Sequence, residues 1–210
     1  MRAVILAGGS IQSDDIIRQY IRPDDFIICA DSGYDHAVRM EIAPDLVVGD
    51  FDSVEEDLTE AQILGQIEVL SYPPEKDYTD TELAVEAALD RGADSILFLA
   101  ATGSRLDHTI SNILLLRSLL DAGIDAAVVD EHNEIRMLCG PATLQGRRGA
   151  LVSLIPVTDC SGVTTSGLQY PLDNATLPLG ISRGVSNVFL GSTAQVTLSE
   201  GYLLAIQARD

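Results

Sequence analysis

The sequence predicts an N-terminal α/β domain on a mostly parallel sheet, followed by a smaller C-terminal all-β domain of sandwich or barrel type. Two observations carry this. In the first two thirds, short runs apolar on consecutive positions alternate with amphipathic segments, the pattern of a parallel sheet covered by helices on both faces. From about Glu134 onward the chain changes to short β-rich runs punctuated by Gly and Pro, several of them alternating apolar and polar residues. The boundary is expected between Asp130 and Pro141, giving domains 1–135 and 136–210.

The first strand is "AVILAGG", closing in a Gly8-Gly9 turn that can approach a phosphate. "SDDIIRQYI" follows as a helix with Ser13 as its N-cap, and "DFIICADSG" as a second strand ending at Asp31 and Gly33. "YDHAVRMEI" is a short helix stopped before Pro44, and "DLVVGDFDS" is a third strand. "TDTELAVEAALDRG" carries a capping box, Thr79 with Glu82, and a Gly92 stop. "SILFLAATG", "DHTISNILLLRSLLDAG" and "DAAVVD" complete the domain as strand, long helix and strand. The later runs "NEIRMLCG", "ATLQGRRGALVSLIPV", "SGVTTSGLQYPL", "GVSNVFLG" and "AQVTLSEGYLLAIQA" make up the β module.

Composition removes several classes of function. With 32 acids against 13 bases the formal charge is −19, which argues against nucleic acid or an anionic membrane as the main partner. The N-terminal apolar run is too short for a signal peptide or a membrane span. Three cysteines without C-x-x-C spacing suggest neither a disulfide framework nor a zinc site; Cys29 and Cys139 read as core residues. A cytoplasmic protein is expected. No Walker A loop or G-x-G-x-x-G occurs, so a Walker-type kinase and a dinucleotide oxidoreductase lose support.

Ligands of open α/β sheets bind at the carboxyl ends of the strands. Those ends carry Asp31 with Gly33, Asp50 with Asp52, and Gly103 leading to Asp107, with Asp77 and Asp80 in a further loop. In an extended segment Asp50 and Asp52 face one side about 6–7 Å apart. Unpartnered, they would repel by about 2–3 kcal/mol at an effective dielectric near 20. A hard cation removes that cost, and a few carboxylates suit Mg²⁺, which shares its shell with water and substrate phosphates. Lys76, the one lysine of the chain, and Arg105 are candidates to meet a phosphate or to pair with a neighbouring Asp. His108 opens a helix, whereas His36 and His132 read as surface or turn residues.

Taken in order, "CADSG", "APDLVVGDFDSV", "KDYTDTELAV", "GSRLDHTISNILLL", "TTSGLQYPLDNATL" and "GVSN" resemble the thiamine pyrophosphokinase family over nearly the whole chain. The resemblance implies a homodimer that binds ATP and Mg²⁺ in the α/β domain and thiamine between subunits. It implies transfer of the diphosphoryl group of ATP to the hydroxyethyl oxygen of thiamine, releasing AMP. Carried over by motif, Asp50, Asp52 and Asp80 are metal-site acids, with Asp31, Asp77 and Asp107 nearby. Gly33, Lys76, Gly103, Arg105, His108 and Asn112 would serve the nucleotide, and Ser186 with Asn187 the thiamine pyrimidine. Many members read Asp-Gly-Gly where this chain has Asp31, Ser32 and Gly33. The chain has no tryptophan, so stacking on thiamine falls to Tyr or Phe, with Tyr170 as the candidate. Two other readings compete: a pyrophosphokinase of another primary alcohol such as a hydroxymethylpterin, and a non-enzymatic thiamine or nucleotide binder.

Overall fold

The computed structural model describes residues 1–50, 67–73, 75 and 77–209, and divides into two units, Met1–Glu131 and His132–Asp210. In the first unit the strands are β1 (Arg2–Leu6), β2 (Phe26–Ala30), β3 (Leu46–Gly49), β4 (Glu68–Ser71), β5 (Ser95–Leu99) and β6 (Asp125–Val129). All their pairings are parallel, in the lateral order β6-β5-β1-β2-β3-β4. The helices are α1 (Asp14–Arg18), α2 (Gly33–Arg39), α3 (Asp80–Asp90) and α4 (Leu106–Asp121).

Consecutive burial along β1, β2, β3 and β5 is what the apolar runs require of a sheet covered on both faces. On one side Val4, Leu6, Cys29, Val47, Leu97 and Val129 pack with Ile17 of α1 and with Tyr34 and Ala37 of α2. Helix α3 packs on β1, β2 and β3, and α4 packs against β6. Burying each large aliphatic side chain contributes about 1.5–3 kcal/mol, so the sheet core outweighs any single cap.

The predicted capping box is present: Glu82 N–H donates to Thr79 Oγ1 at 3.2 Å and Thr79 N–H to Glu82 Oε2 at 3.0 Å. Helix α3 ends before Gly92, whose φ of +79° suits glycine. Ser13 stands at the N-cap position of α1, but its side chain makes no capping bond. The Glu131 carboxylate accepts from the N–H groups of Gln12 and Ser13, at 2.5 and 3.0 Å, so an acid distant in sequence holds the backbone just ahead of the helix. Strand β4 was not expected. It lies at the sheet edge with half-exposed side chains, and so lacks the continuous apolar run that reveals its neighbours. Cys139 is exposed, not core, because β7 ends at Leu138 and the chain turns outward.

The second unit contains β7 (Asn133–Leu138), β8 (Ala142–Gln145), β9 (Leu151–Pro156), β10 (Cys160–Ser166), β11 (Ala175–Leu177), β12 (Asn187–Val188), β13 (Thr193–Thr197) and β14 (Leu203–Ala208). They pair antiparallel in two sets, β12-β9-β14-β7 and β11-β10-β13-β8. Alternation matches the pleat: Val152 and Leu154 of β9, and Ala194 and Val196 of β13, turn into a shared core with Val163, Leu177, Phe189 and Leu203. Among the described residues, no helix is long and apolar enough to cross a membrane.

Removing the cap acceptor in Thr79→Ala should cost about 1 kcal/mol. Urea unfolding checks this as a lower midpoint with an unchanged slope.

Candidate active site

Strands β2, β3 and β4 step away from β1 in one direction, while β5 and β6 lie on its other side, so the strand order reverses between β1 and β5. At such a reversal the connections leave in opposite directions and open a crevice at the carboxyl ends. A cleft of about 550 Å³ lies there. Its wall comes from the turn after β1 (residues 7–10), the end of β2 (30–32), Asp50 after β3, the start of α3 (79–81), the β5–α4 loop (101–105), and His108, Thr109 and Asn112 of α4.

The turn after β1 is bonded to the β5 side: Ala7 N–H donates to Leu99 O at 2.9 Å, Gly9 N–H to Ala100 O at 2.7 Å and Ser10 N–H to Thr102 O at 2.8 Å. A Cβ on Gly9 would overlap the carbonyl oxygens of Ala100 and Thr102, and one on Gly33 would overlap the Leu6 carbonyl. These two positions therefore require glycine for close approach of backbone to backbone. Asp31 and Ala100 adopt positive φ, +48° and +52°, a conformation that costs a non-glycine residue about 1–3 kcal/mol and is held by its surroundings. Ser32, where many family members have glycine, has φ −60°, which any residue adopts. Its Oγ occupies the space that a Cβ on Gly8 would need.

The β5–α4 loop is fastened by side chains of its own helix. Asn112, buried, donates from Nδ2 to Ala101 O at 2.9 Å, and Gly103 N–H donates to Thr109 Oγ1 at 3.1 Å. Thr102 Oγ1 donates to Asp130 Oδ2 at 2.9 Å, tying the same loop to the end of β6. Asn112 thus lines the cleft and also shapes its wall.

Asp31, Asp50 and Asp80 are the carboxylates of the described wall. Arg105 also lines it, and its guanidinium pairs with Asp107 at 2.6 Å, both side chains being mostly exposed. That pairing, helped by the His108 backbone N–H, holds the Asp107 carboxyl down at about 2. Asp107 and the exposed Asp77 stand outside the described wall, while Asp52 and Lys76 lie outside the described residues. Among the described residues, no three His, Cys, Asp or Glu side chains form a ready metal cluster. The donor chemistry nonetheless fits a hard cation, since three loops contribute carboxylate oxygens and no thiol lines the wall.

His36 is half-buried on α2 rather than on the surface, and its Nε2–H donates to Gly9 O at 2.7 Å. Burial lowers its pKa and keeps the ring neutral at pH 7. The sequence offers no signal for this contact, because its partners are far apart in the chain.

In the second unit Ser186 has φ +59°, and its N–H donates to Ser153 Oγ at 3.0 Å. Asn187 is buried. Its Oδ1 accepts from the N–H groups of Tyr170 (3.0 Å) and Val188 (2.9 Å), and its Nδ2 donates to Tyr170 O at 2.8 Å. The Tyr170 side chain is left 61% exposed, so Asn187 fixes the backbone from which an accessible ring projects.

The model of the thiamin pyrophosphokinase catalytic domain matches residues 17–128, and that of the thiamin pyrophosphokinase vitamin B1 binding domain matches residues 142–203. The chain belongs to the thiamin pyrophosphokinase family. It is 30% identical to the thiamine pyrophosphokinase of Bacillus subtilis over 98% of both chains. A crystal structure of the B. subtilis enzyme superposes with a TM-score of 0.89 at 28% identity, covering 100% of each chain. The thiamin pyrophosphokinase of Geobacillus thermodenitrificans superposes with a TM-score of 0.85 at 32% identity, covering 100% of this chain and 98% of that one. Within the family frame, the carboxylates and glycines of the cleft wall lie in the part matched by the catalytic model or just ahead of it, and Tyr170, Ser186 and Asn187 in the vitamin B1 binding part.

The Asp107 carboxyl should titrate near about 2 in carbon-detected NMR, and Arg105→Gln should return it toward the ordinary value of about 3.9. The sign follows from the ion pair: it favours the charged carboxylate and is lost as pH falls through the lowered pKa.

Proposed function

We propose that this protein transfers the diphosphoryl group of ATP to the hydroxyethyl oxygen of thiamine, giving thiamine diphosphate and AMP. The observation that carries the reading is the coverage of both halves, one by a catalytic and the other by a vitamin B1 binding family model. Transfer of this kind asks little covalent chemistry of the protein. It asks for in-line positioning and for neutralisation of charge on the transferred group.

Asp50, Asp52 and Asp80 would hold Mg²⁺, which when bound offsets phosphate charge and lets an acidic cleft take an anionic substrate. Asp31 and the close-packed Gly33 and Gly103 shape the nucleotide side, with Asn112 fastening the loop. Arg105, His108 and Lys76 supply positive charge or donors toward the phosphates. The thiamine hydroxyl must lose a proton to a nearby base. Asp80 and Asp107 are the two candidate acceptors. Asp77, exposed, serves the loop that leads into α3.

Thiamine would meet Ser186 and the ring of Tyr170, with Asn187 holding the Tyr170 backbone. A homodimer is the proposed assembly. Leu106, Ile110 and Leu114 form an exposed apolar row along α4, and Leu179 and Leu190 are exposed in the second unit, surfaces that a second copy would cover. All three cysteines are free thiols, which suits a reducing cytoplasm.

The test is AMP and thiamine diphosphate formation from ATP, Mg²⁺ and thiamine. Asp50→Asn and Asp80→Asn should each lower kcat on the order of a hundredfold or more, while Ser186→Ala should raise the KM for thiamine more than that for ATP. Product from a hydroxymethylpterin but not from thiamine would move the assignment to another alcohol. Saturable thiamine binding without AMP would leave a binder.

A further inference from the structure

We propose that His36 is a positioning residue of the nucleotide cleft, acting through the carbonyl of Gly9. The inference rests on the ATP-dependent reading above. It begins with a single residue of the turn after β1. Gly9 N–H is taken by Ala100 O at 2.7 Å, its carbonyl by His36 Nε2–H at 2.7 Å, and its Cα is so close to two carbonyl oxygens that no Cβ fits. The turn is thus held from the β5 side by backbone and from the α2 side by one imidazole.

Because the acceptor is a carbonyl, Nε2 carries the proton. Nδ1 is buried and has no hydrogen-bond partner among the described residues. Burying a ring nitrogen in that way costs stability, and an apolar side chain of similar size would avoid the cost. What the imidazole adds over such a side chain is the Nε2 donor. Helix α2 is itself fixed to the end of β1, since Gly33 packs directly against the Leu6 carbonyl. His36 therefore projects from an anchored element onto the turn that lines the cleft. Its hydrogen bond ties the Gly9 oxygen to α2, and the N–H of the same peptide, that of Ser10, donates to Thr102 O at 2.8 Å, so this peptide is held from both sides. His36 is outside the cleft wall, so it acts by holding the turn and not by touching the nucleotide.

The experiment compares wild type, His36→Leu and His36→Gln, measuring the KM for ATP and for thiamine and the Kd of Mg²⁺-ATP by calorimetry. A glutamine amide nitrogen can take the place of Nε2; leucine cannot donate. His36→Leu should raise the KM and Kd for ATP about tenfold, equivalent to about 1.4 kcal/mol, with the thiamine KM within about twofold of wild type. His36→Gln should recover most of the loss. If circular dichroism shows His36→Leu unfolded, His36→Asn replaces it with the same expectation, because its shorter amide reaches only the Nδ1 position. An ATP KM in the donorless variant within about twofold of wild type overturns the inference, as does an equal rise of both KM values in the Leu and Gln variants. Wild-type protein that binds no Mg²⁺-ATP overturns the nucleotide reading as well, which separates the two failures.

Discussion

Gly9 is hydrogen-bonded at both ends of its residue, to Ala100 through its N–H and to His36 through its carbonyl, and the geometry of the cleft follows from that junction. Strands β1 and β5 are neighbours, yet the chain reaches β5 only after laying down β2, β3 and β4 on the other side of β1. The crevice is a product of this reversal, and it stays narrow because glycine at positions 9 and 33 lets backbone approach backbone. The positive φ values of Asp31 and Ala100 are further consequences, since the surrounding bonds hold two residues in a conformation that they would leave if released.

Electrostatics then set what such a crevice can accept. A protein with a formal charge of −19 that lines a cleft with Asp31, Asp50 and Asp80 is a poor host for a bare triphosphate. The same carboxylates suit a hard cation carrying that triphosphate, which is the reason Mg²⁺ enters the proposed reaction. The pairing of Arg105 with Asp107 separates these two from the other charged groups: it holds Asp107 as a carboxylate and presents Arg105 at the cleft with its charge partly matched. Asp107 thus has different chemical prospects from the cleft carboxylates Asp31, Asp50 and Asp80.

The second unit solves a different problem with the same economy of contacts. Its two antiparallel sets of strands bury alternate residues in a shared core and are joined by loops. Asn187 spends its amide on backbone groups of Tyr170 and Val188, so a buried polar side chain substitutes for ladder hydrogen bonds where the chain is irregular. This bracing holds the backbone of the exposed Tyr170 beside Ser186, whose φ is positive and whose N–H donates to Ser153.

Local pattern was enough for most of the architecture. Continuous apolar runs revealed β1, β2, β3, β5 and β6, the Thr79–Glu82 box marked the start of α3, and alternation marked the second unit, because each of these signals is written within a few residues of where it acts. The acids at the strand ends were legible for the same reason, as positions following an apolar run. Edge strand β4, with half its contacts to solvent, carried no such signal. Tertiary structure alone decided which strands are neighbours, that Glu131 holds the backbone ahead of α1, that Asn112 and Asn187 bind backbone, and that His36 reaches Gly9. Hydrogen bonds across such chain separations depend on where the folded backbone brings two groups, and sequence spacing carries no record of that distance.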